Sequence, residues 1–463
     1  MSPTSSEKRL AHESEDSGTP PIGSDAAGDG PPPIDPRHDH PFTHGFFDKD
    51  PGTVAARSAW IKTVVAGIVL VICVIWAVLS MYWAALGRTS GHIHNLSGYV
   101  VDFDGGQIGQ AVTQTFADIH SPNQLTWLIK DASEFPNGPS DVAAALLDDR
   151  CWAAIAINPG ASNALNAAVN AADASYNTSQ AVTAYTTTAR NENIYRTVIS
   201  QNINTPLILA SQNFALQFSR QLAARPDIAT LLSTAPGLVT RPLYYIVDDL
   251  RPFDVPVAAA VDFVGLIYLL ILALMMTNQL LAARVETGLA RRLTLKSLIL
   301  MRLLAPCIMY FPVTLMYGLL SQAFGVPFNR TFGHAGFVIY WMMSWCGMMA
   351  LGLALESVLT LLTNKFLAYF LVLWIITNVS VSFYPIEVLP TIFRYGYAMP
   401  FYNVSKTVRT IVFNTKNQVG LNFGVQIAWI IVSCITLPFF QWFHRRREVM
   451  LWKKEQMKYK LES

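Results

Sequence analysis

The chain has 463 residues, of which 52% are hydrophobic and 14% are charged, and the low charged share argues against a wholly soluble protein. The 33 basic and 31 acidic residues nearly cancel, so composition gives no support to nucleic-acid binding. The five cysteines form no C-x-x-C pair and no histidine lies at metal-ligand spacing, so we expect no disulfide framework, metal or cofactor.

Residues 1–58 are rich in proline, glycine and serine and contain almost no aliphatic clusters. Such a segment cannot bury enough apolar surface to offset its ordering entropy, so it is predicted to be a disordered cytosolic tail. The apolar run that follows begins too far along the chain for a secretory signal. We therefore expect residues 59–86 to remain as a membrane anchor.

Six apolar runs are long enough to cross a bilayer, which takes about 20 helical residues. They cover residues 63–85, 255–283, 303–324, 335–355, 365–387 and 419–443. The pattern predicts a polytopic α-helical membrane protein with six transmembrane helices in a 1+5 layout. The last five form a membrane domain over residues 255–443.

Orientation follows from lysine and arginine, which collect in cytosolic loops. One basic cluster lies between the second and third runs and consists of Arg284, Arg291, Arg292, Lys296 and Arg302. Another fills the tail 444–463. Both are predicted to face the cytosol, which places both termini there and exports residues 87–254. The exported segment 386–418 disagrees, because it carries Arg394, Lys406, Arg409 and Lys416.

The exported segment 87–254 is long enough for a domain and alternates strand and helix patterns. Strands are predicted at 98–103, 125–129, 152–157 and 181–187, with helices at 107–117, 140–149 and 192–222 and an Ala- and Asn-rich helix after 160. This predicts an exoplasmic α/β domain inserted between helices 1 and 2, with its strand order open. Sequons at Asn95 and Asn177 fit glycosylation on that side.

One span, a large exported loop and then five spans is an unusual layout. Together with Asn95-Leu96-Ser97 leading into residues 101–105 (VDFDG), and with residues 242–256 (PLYYIVDDLRPFDVP), it resembles the fungal membrane proteins of the nitrosoguanidine-resistance family. More distantly the chain is similar to bacterial phage-infection proteins and to the membrane half of ABC-2-type exporters. Residues 384–400 resemble the re-entrant exoplasmic hairpin of those exporters, which implies a re-entrant segment near 385–415.

The resemblance implies a non-enzymatic role in tolerance to toxic compounds, by export or by organising membrane lipids, most simply in the plasma membrane. Membrane lipids, an apolar toxicant and a second copy of the chain are the partners it suggests. The sequence contains no G-x-x-x-x-G-K-[ST] motif, so ATP-driven export would need a separate ATPase subunit. The basic segment 284–302 could dock one, or could reflect topology alone. The alternative function is a scaffold or receptor whose exported domain binds a ligand or protein.

Residues 102–105 (DFDG) at the end of a predicted strand resemble the D-x-D-G of haloacid-dehalogenase phosphatases, which makes Asp102 and Asp104 weak ligand candidates. Gly106 replaces the threonine that usually follows. The alternative is a turn that ends the strand and caps the helix at Gln107.

Asp262 lies about seven residues into the second span, where a carboxylate needs a partner, a proton or water. It is the main intramembrane functional candidate. The alternative is an interfacial residue paired with Arg251 or a loop base. Four charged residues precede the span and are predicted to form an elbow that joins the exported domain to it, or a ligand site: Asp248, Asp249, Arg251 and Asp254.

Overall fold

The computed structural model describes residues 45–462. Most of the predicted tail, residues 1–44, lies outside the described residues. The first long helix, α1 (Pro51–Gly87), begins at Pro51 rather than at residue 59, so the end of the predicted tail is helical. The chain divides after Cys73 into two units, and all contacts described below lie within the second.

In the second unit, five strands of the described chain form one sheet. They are β1 (Ser97–Asp102), β2 (Thr126–Lys130), β3 (Ala153–Ile157), β4 (Val182–Thr186) and β5 (Tyr245–Asp249). The longer helices of this domain are α2 (Gln107–Ala117), α3 (Pro139–Leu147), α4 (Ala161–Ala171) and α5 (Ser200–Leu222). Two short helices, Ile228–Thr234 and Gly237–Thr240, precede β5. We call residues 96–254 the sheet domain.

The strand order is β2-β1-β3-β4-β5. β1 is parallel to both of its neighbours, β4 is antiparallel to β3, and β5 is parallel to β4. The central strand β3 reads AAIAI and is buried throughout, which is the continuous apolar pattern of a strand covered on both faces. The apolar core of the sheet domain also includes Val381, Val388 and Phe393, so it is continuous with a later part of the chain.

Most elements of this domain are those that the sequence pattern predicts. The four predicted strands correspond to β1–β4, and the predicted helices to α2, α3, α4 and α5. The predicted helix 192–222 passes through a π-helical turn, Tyr195–Ile199, before α5 begins. Strand β5 was not predicted, because its sequence YIVDD lies in a segment interpreted as the approach to the second span.

The remaining long helices follow the sheet domain. They are α6 (Gly265–Glu286), α7 (Leu295–Ala323), α8 (Ala335–Val379), α9 (Pro400–Phe413) and α10 (Val419–Glu462). Short helices at Leu289–Arg292 and Asn329–Phe332 connect them. We call α6 to α10 the helix bundle. Its inward side chains include a second large apolar core.

Five helices within residues 45–462 are long and apolar enough to cross a membrane: Pro51–Gly87, Pro256–Glu286, Leu295–Ala323, Ala335–Leu362 and Val419–Lys454. The predicted span 365–387 corresponds to a shorter apolar helix, Phe366–Val379. The six predicted spans therefore become five long helices and one short one.

The 45-residue helix α8 would be about 68 Å long if it were straight. Near one end, a Cβ at Gly336 would contact Ile411, and near the other end Asn378 accepts a hydrogen bond from the backbone N–H of Phe401 at 3.2 Å. Residues 401 and 411 are only about 15 Å apart along α9. The helix α8 must therefore reverse direction and form a hairpin.

Residues 385–415, which the sequence predicts to be re-entrant and for which we keep the name re-entrant segment, form a chain of short elements that ends in α9. Turns of 3₁₀ helix at Ile386–Val388 and Thr391–Ala398 lead into it. Twelve of the fourteen residues of α9 are buried, although five of these twelve are polar or charged. A helix with this composition is stable inside a protein only when its polar groups find partners, and those partners define the candidate site.

Candidate functional site at the junction of the sheet domain and the helix bundle

Asp262 lies in a π-helical turn, Ala260–Val264, which leads directly into α6. Its side chain is fully buried. The carboxylate oxygen Oδ2 lies 2.7 Å from Nη2 of Arg409 on α9. Of the two partners suggested from sequence, Arg251 is wrong, since it donates instead to the carbonyl oxygens of Asn414 and Leu250. The other, a loop base, fits Arg409, which belongs to the segment 386–418.

Arg409 joins three parts of the chain. Besides Asp262, its guanidinium lies 2.7 Å from Oε2 of Glu192, at the start of the helical segment before α5. It also donates to the backbone carbonyl of Ala189 at 2.9 Å. We call Glu192, Asp262 and Arg409 the junction cluster, because it ties the sheet domain, α6 and α9 together.

The junction cluster holds two carboxylates and one guanidinium, and all three side chains are at least about nine-tenths buried. Removing ions from water costs several kcal/mol each, and good pairing only roughly offsets that cost. Apolar residues of the same size would pack at least as stably. Stability alone therefore does not explain the presence of three charged side chains at this position.

A second buried arginine, Arg190, lies beside the junction cluster. Its Nε is 3.0 Å from Asp149, its Nη1 donates to the Cys151 carbonyl at 2.7 Å, and its guanidinium stacks 3.5 Å from the Trp152 ring centroid. Burial lowers the pKa of Arg190, and the Asp149 carboxylate opposes that shift. Burial also raises the pKa of the Cys151 thiol to about 12, so this thiol stays protonated at neutral pH.

A small cavity opens between these residues and the re-entrant segment. We call it the junction cavity, and its lining residues include Trp152, Arg190, Tyr384, Glu387, Tyr402, Lys406 and Arg409. Its volume of about 30 Å³ holds one or two water molecules. The side chain of Asn191 donates to the Phe383 carbonyl at 3.1 Å and holds the re-entrant segment against the sheet domain. The cavity thus lies where four charged side chains, those of Arg190, Glu387, Lys406 and Arg409, meet aromatic rings.

The four residues predicted to form an elbow, all within the described part of the chain, make no ion pairs with one another. Asp249 accepts hydrogen bonds from the N–H and hydroxyl of Thr188 at 3.1 and 2.6 Å. Asp254 pairs with Arg330, between α7 and α8, at 2.7 Å, and Asp248 is exposed. Asp249, Arg251 and Asp254 thus fasten the end of the sheet domain to neighbouring segments.

Asp102 and Asp104 are bound to backbone groups. Asp102 accepts from the N–H groups of Asp104 and Gly105, and Asp104 accepts from those of Gly106 and Ser162. A Cβ at Gly109 would overlap the Asp102 carboxylate. These contacts cap α2 and α4, as the turn alternative predicts. Within residues 45–462, no group of three His, Cys, Asp or Glu side chains is placed to hold a metal ion.

The two sequons differ in their surroundings. Asn95 donates its side-chain amide to the Glu387 carbonyl at 2.9 Å, which ties it to the re-entrant segment. Asn177 is exposed in a turn, where its side-chain oxygen accepts from the Ser179 N–H at 3.0 Å. Both asparagines are exposed, but the Asn95 amide nitrogen is held by its hydrogen bond, so Asn177 is the better acceptor for a glycan.

If the sheet domain is exported, Asn177→Gln should remove the glycan of the protein expressed in fungal cells. The check is gel mobility with and without a glycan-removing glycosidase. Asn95→Gln is the matched control and should leave the mobility shift in place. A wild-type protein that does not change mobility after glycosidase treatment would contradict the export of this domain.

A second buried charge cluster lies at the other end of the helix bundle. Glu356 on α8 binds Arg284 of α6 at 2.5 Å and Arg302 of α7 at 2.7 Å. Arg302 also donates to Gln441 of α10 and to the Glu356 carbonyl. We call Glu356, Arg284, Arg302 and Gln441 the distal cluster. It joins four helices of the bundle.

Sequence reasoning missed both clusters in part. It assigned Arg284 and Arg302 to a basic loop, whereas both are buried and paired with Glu356. Two of the five charges proposed for ATPase docking are thus internal. Sequence reasoning noted Arg409 only as a basic residue in a segment predicted to be exported, where basic residues are unusual. That exception was the one sign in the sequence that Arg409 has an internal partner.

Apolar helices that hide ion pairs, with an α/β domain inserted after the first of them, define a polytopic membrane protein. A family model described as "Protein of unknown function (DUF3533)" matches residues 67–435, and the chain belongs to this family. The chain is also 31% identical over 195 residues to the "Uncharacterized endoplasmic reticulum membrane protein YJR015W" of Saccharomyces cerevisiae. That match covers 41% of this chain and 38% of the yeast protein. No solved structure matches the chain.

Proposed function

We propose that this membrane protein supports tolerance to toxic compounds, without catalysing a covalent reaction, by moving amphipathic solutes or by organising lipids. The sequence resemblance to nitrosoguanidine-resistance and ABC-2-type proteins supports this role. The yeast relative's name points to the endoplasmic reticulum, and we propose the plasma membrane as the alternative location. Membrane lipids and an apolar toxicant are the proposed partners.

The observation that carries the proposal is the buried Asp262–Arg409 pair between α6 and α9, with Glu192 of the sheet domain as third member. Ion pairs inside apolar helices are costly and usually mark functional sites. Here the pair links the sheet domain to the bundle, so its opening would loosen the wall of the junction cavity. Such a contact suits a protein that alternates between two arrangements.

Cells that lack the protein should retain severalfold more of a labelled amphipathic probe than wild-type cells, and Asp262→Asn cells should resemble the deletion. The probes are rhodamine 6G and a fluorescent short-chain phospholipid, with protein abundance and location measured by a tag. Asp254→Asn is the matched control, because Asp254 is an exposed carboxylate paired with Arg330. Equal probe retention in all strains would overturn the transport proposal.

A scaffold is the second candidate, favoured by the edges of the sheet. Both edge strands expose two consecutive apolar residues: Leu128 and Ile129 on β2, and Ile246 and Val247 on β5. Unpaired strand edges of this kind are sites for pairing with another chain, here a protein partner or a second copy. Altered tolerance with unchanged probe retention would support this candidate instead.

A further inference from the structure

The charged side chains that line the junction cavity are mostly cationic. Arg190, Lys406 and Arg409 are cationic, whereas Glu387 is the one carboxylate among the described lining residues. Arg190 belongs to the sheet domain, and the other three belong to the re-entrant segment. Positive charge from two distant parts of the chain therefore converges on one small space.

The two arginines have carboxylate partners outside the cavity. Arg190 lies 3.0 Å from Asp149. Arg409 lies 2.7 Å from both Glu192 and Asp262. None of these three carboxylates is among the residues that line the cavity. They fix the two guanidiniums in place, and they leave the lysine as the cation whose charge is not matched by a neighbouring side chain.

Lys406 lies on α9 and is mostly buried, with its Nζ 5.8 Å from the ring centroid of Tyr402. Within the part of the chain that the structure describes, its Nζ makes no hydrogen bond and no ion pair, not even with Glu387 in the same cavity. An ammonium group has three N–H donors, and burying it without a partner is costly. Lys406 therefore needs a partner that the protein itself does not supply.

Hydroxyl groups surround the same space. Ser405, Tyr402 and Tyr384 line the cavity, and among the described residues none of their hydroxyls makes a hydrogen bond. Each of these hydroxyls can turn its hydrogen towards a ligand. A ligand in the cavity would thus meet one ammonium and three hydroxyl donors. Water would satisfy the hydroxyls but would bring no negative charge to Lys406, so an anion fits this set of donors better.

The size of the cavity limits the anion. Its volume of about 30 Å³ is the room of one or two water molecules. A halide ion is only slightly larger than a water molecule, whereas a whole phosphate group has five heavy atoms. We propose that the junction cavity binds a small inorganic anion, of which chloride is the physiological example, between Arg190 of the sheet domain and Lys406 of the re-entrant segment.

An anion bound there would hold two parts of the chain together. It adds a contact between the sheet domain and α9, which the Arg409 bonds to Glu192 and to the Ala189 carbonyl already join. A ligand that binds only the assembled junction shifts the protein towards that arrangement. The inference stands apart from the proposed function, since such an ion would stabilise the junction equally in a transporter and in a scaffold.

The test is thermal unfolding of the purified full-length protein in detergent, with chloride replacing gluconate stepwise at constant ionic strength. Gluconate is too large for the cavity, so it serves as the inert anion. The Tm of the wild-type protein should rise with chloride and then follow the gradual curve of a single site. A general salt effect would not depend on any one lining residue.

Two variants of lining residues should change the chloride affinity in opposite directions. Lys406→Met removes the ammonium, keeps most of the side-chain length, and should weaken binding about tenfold or more. Glu387→Gln removes the lining carboxylate and should strengthen binding severalfold, which mere damage to the fold would not do. The matched control is Lys416→Met, because Lys416 is exposed in the same segment and donates to the Asp148 carbonyl.

A second measurement does not depend on the stability of any variant. The wild-type protein should broaden the chloride NMR signal, and added bromide should remove the broadening by competition. A wild-type Tm that does not depend on chloride, or a Lys406→Met protein with wild-type chloride affinity, would overturn the proposal. A response to phosphate without one to chloride would also overturn it, since the site would then take a larger anion.

The tolerance function fails by a different result, which is equal probe retention in deletion and wild-type cells. That outcome leaves the chloride affinities of the purified protein and its variants unchanged.

Discussion

Replacing Arg409 with glutamine should lower the free energy of unfolding by about 3–5 kcal/mol, the cost of leaving buried charges without their partner. The variant leaves the carboxylates of Asp262 and Glu192 facing each other across a neutral amide. It also weakens the bond to the Ala189 carbonyl, which anchors α9 to the sheet domain. The measurement is denaturant or thermal unfolding of the full-length protein in detergent.

The matched control is Arg330→Gln, which removes an arginine from a partly exposed pair with Asp254. Exposed pairs contribute about 0–1 kcal/mol, so this variant should stay near wild type. A triple variant with Arg409→Gln, Asp262→Asn and Glu192→Gln should recover most of the loss, because no buried charge remains unpaired. If Arg409→Gln alone were as stable as wild type, the junction cluster would not be a buried ion pair.

The sheet domain shows what local sequence can predict. The runs that form β1 and β3 are apolar and short, and turn residues such as Asn158-Pro159-Gly160 end them. The pattern of apolar residues and the turn residues that follow were therefore sufficient to predict both strands. β5 was missed because only Tyr245 is buried in it and its sequence ends in two aspartates. Strand order depends on packing between distant segments, which no local pattern contains.

The candidate site shows what local sequence cannot predict. Asp262 is a carboxylate within an apolar run, and this position alone was enough to predict that it needs a partner. It could not tell which base, because Arg409 follows far along the chain and is brought close only by α9 folding back into the bundle. The same holds for Glu356, whose two arginines lie on other helices.

The hairpin in α8 lies where the sequence predicts two successive spans, 335–355 and 365–387. The structure has one helical element from Ala335 to Val379 that reverses direction, and it differs from the prediction in that its second arm ends before the second predicted span does. The reversal lies after Glu356, because Glu356 still reaches the distal cluster while Trp374 packs against Trp429 with ring centroids 5.1 Å apart. Its returning arm is short, because the chain then leaves the bundle for the re-entrant segment.

Glu356→Gln should also lower the free energy of unfolding by about 3–5 kcal/mol, since it leaves Arg284 and Arg302 buried together without a counter-charge. The two guanidiniums would repel each other where four helices meet, so the bundle should loosen there first. Unfolding of the full-length protein in detergent measures the loss. Hydrogen exchange should rise in α6, α7 and α10 near this end.

Glu286→Gln is the matched control, because Glu286 is exposed at the end of the same helix as Arg284 and should change stability by less than about 0.5 kcal/mol. Adding Arg284→Gln to Glu356→Gln removes one of the two opposed charges and should restore part of the loss.

Distant sites normally contribute additively, so Glu356→Gln combined with Arg409→Gln should cost the sum of the two single losses if the clusters are independent. A combined loss clearly smaller than the sum would mean that opening one cluster already weakens the other. A Glu356→Gln protein with wild-type stability would show instead that the distal cluster is not held by its central carboxylate.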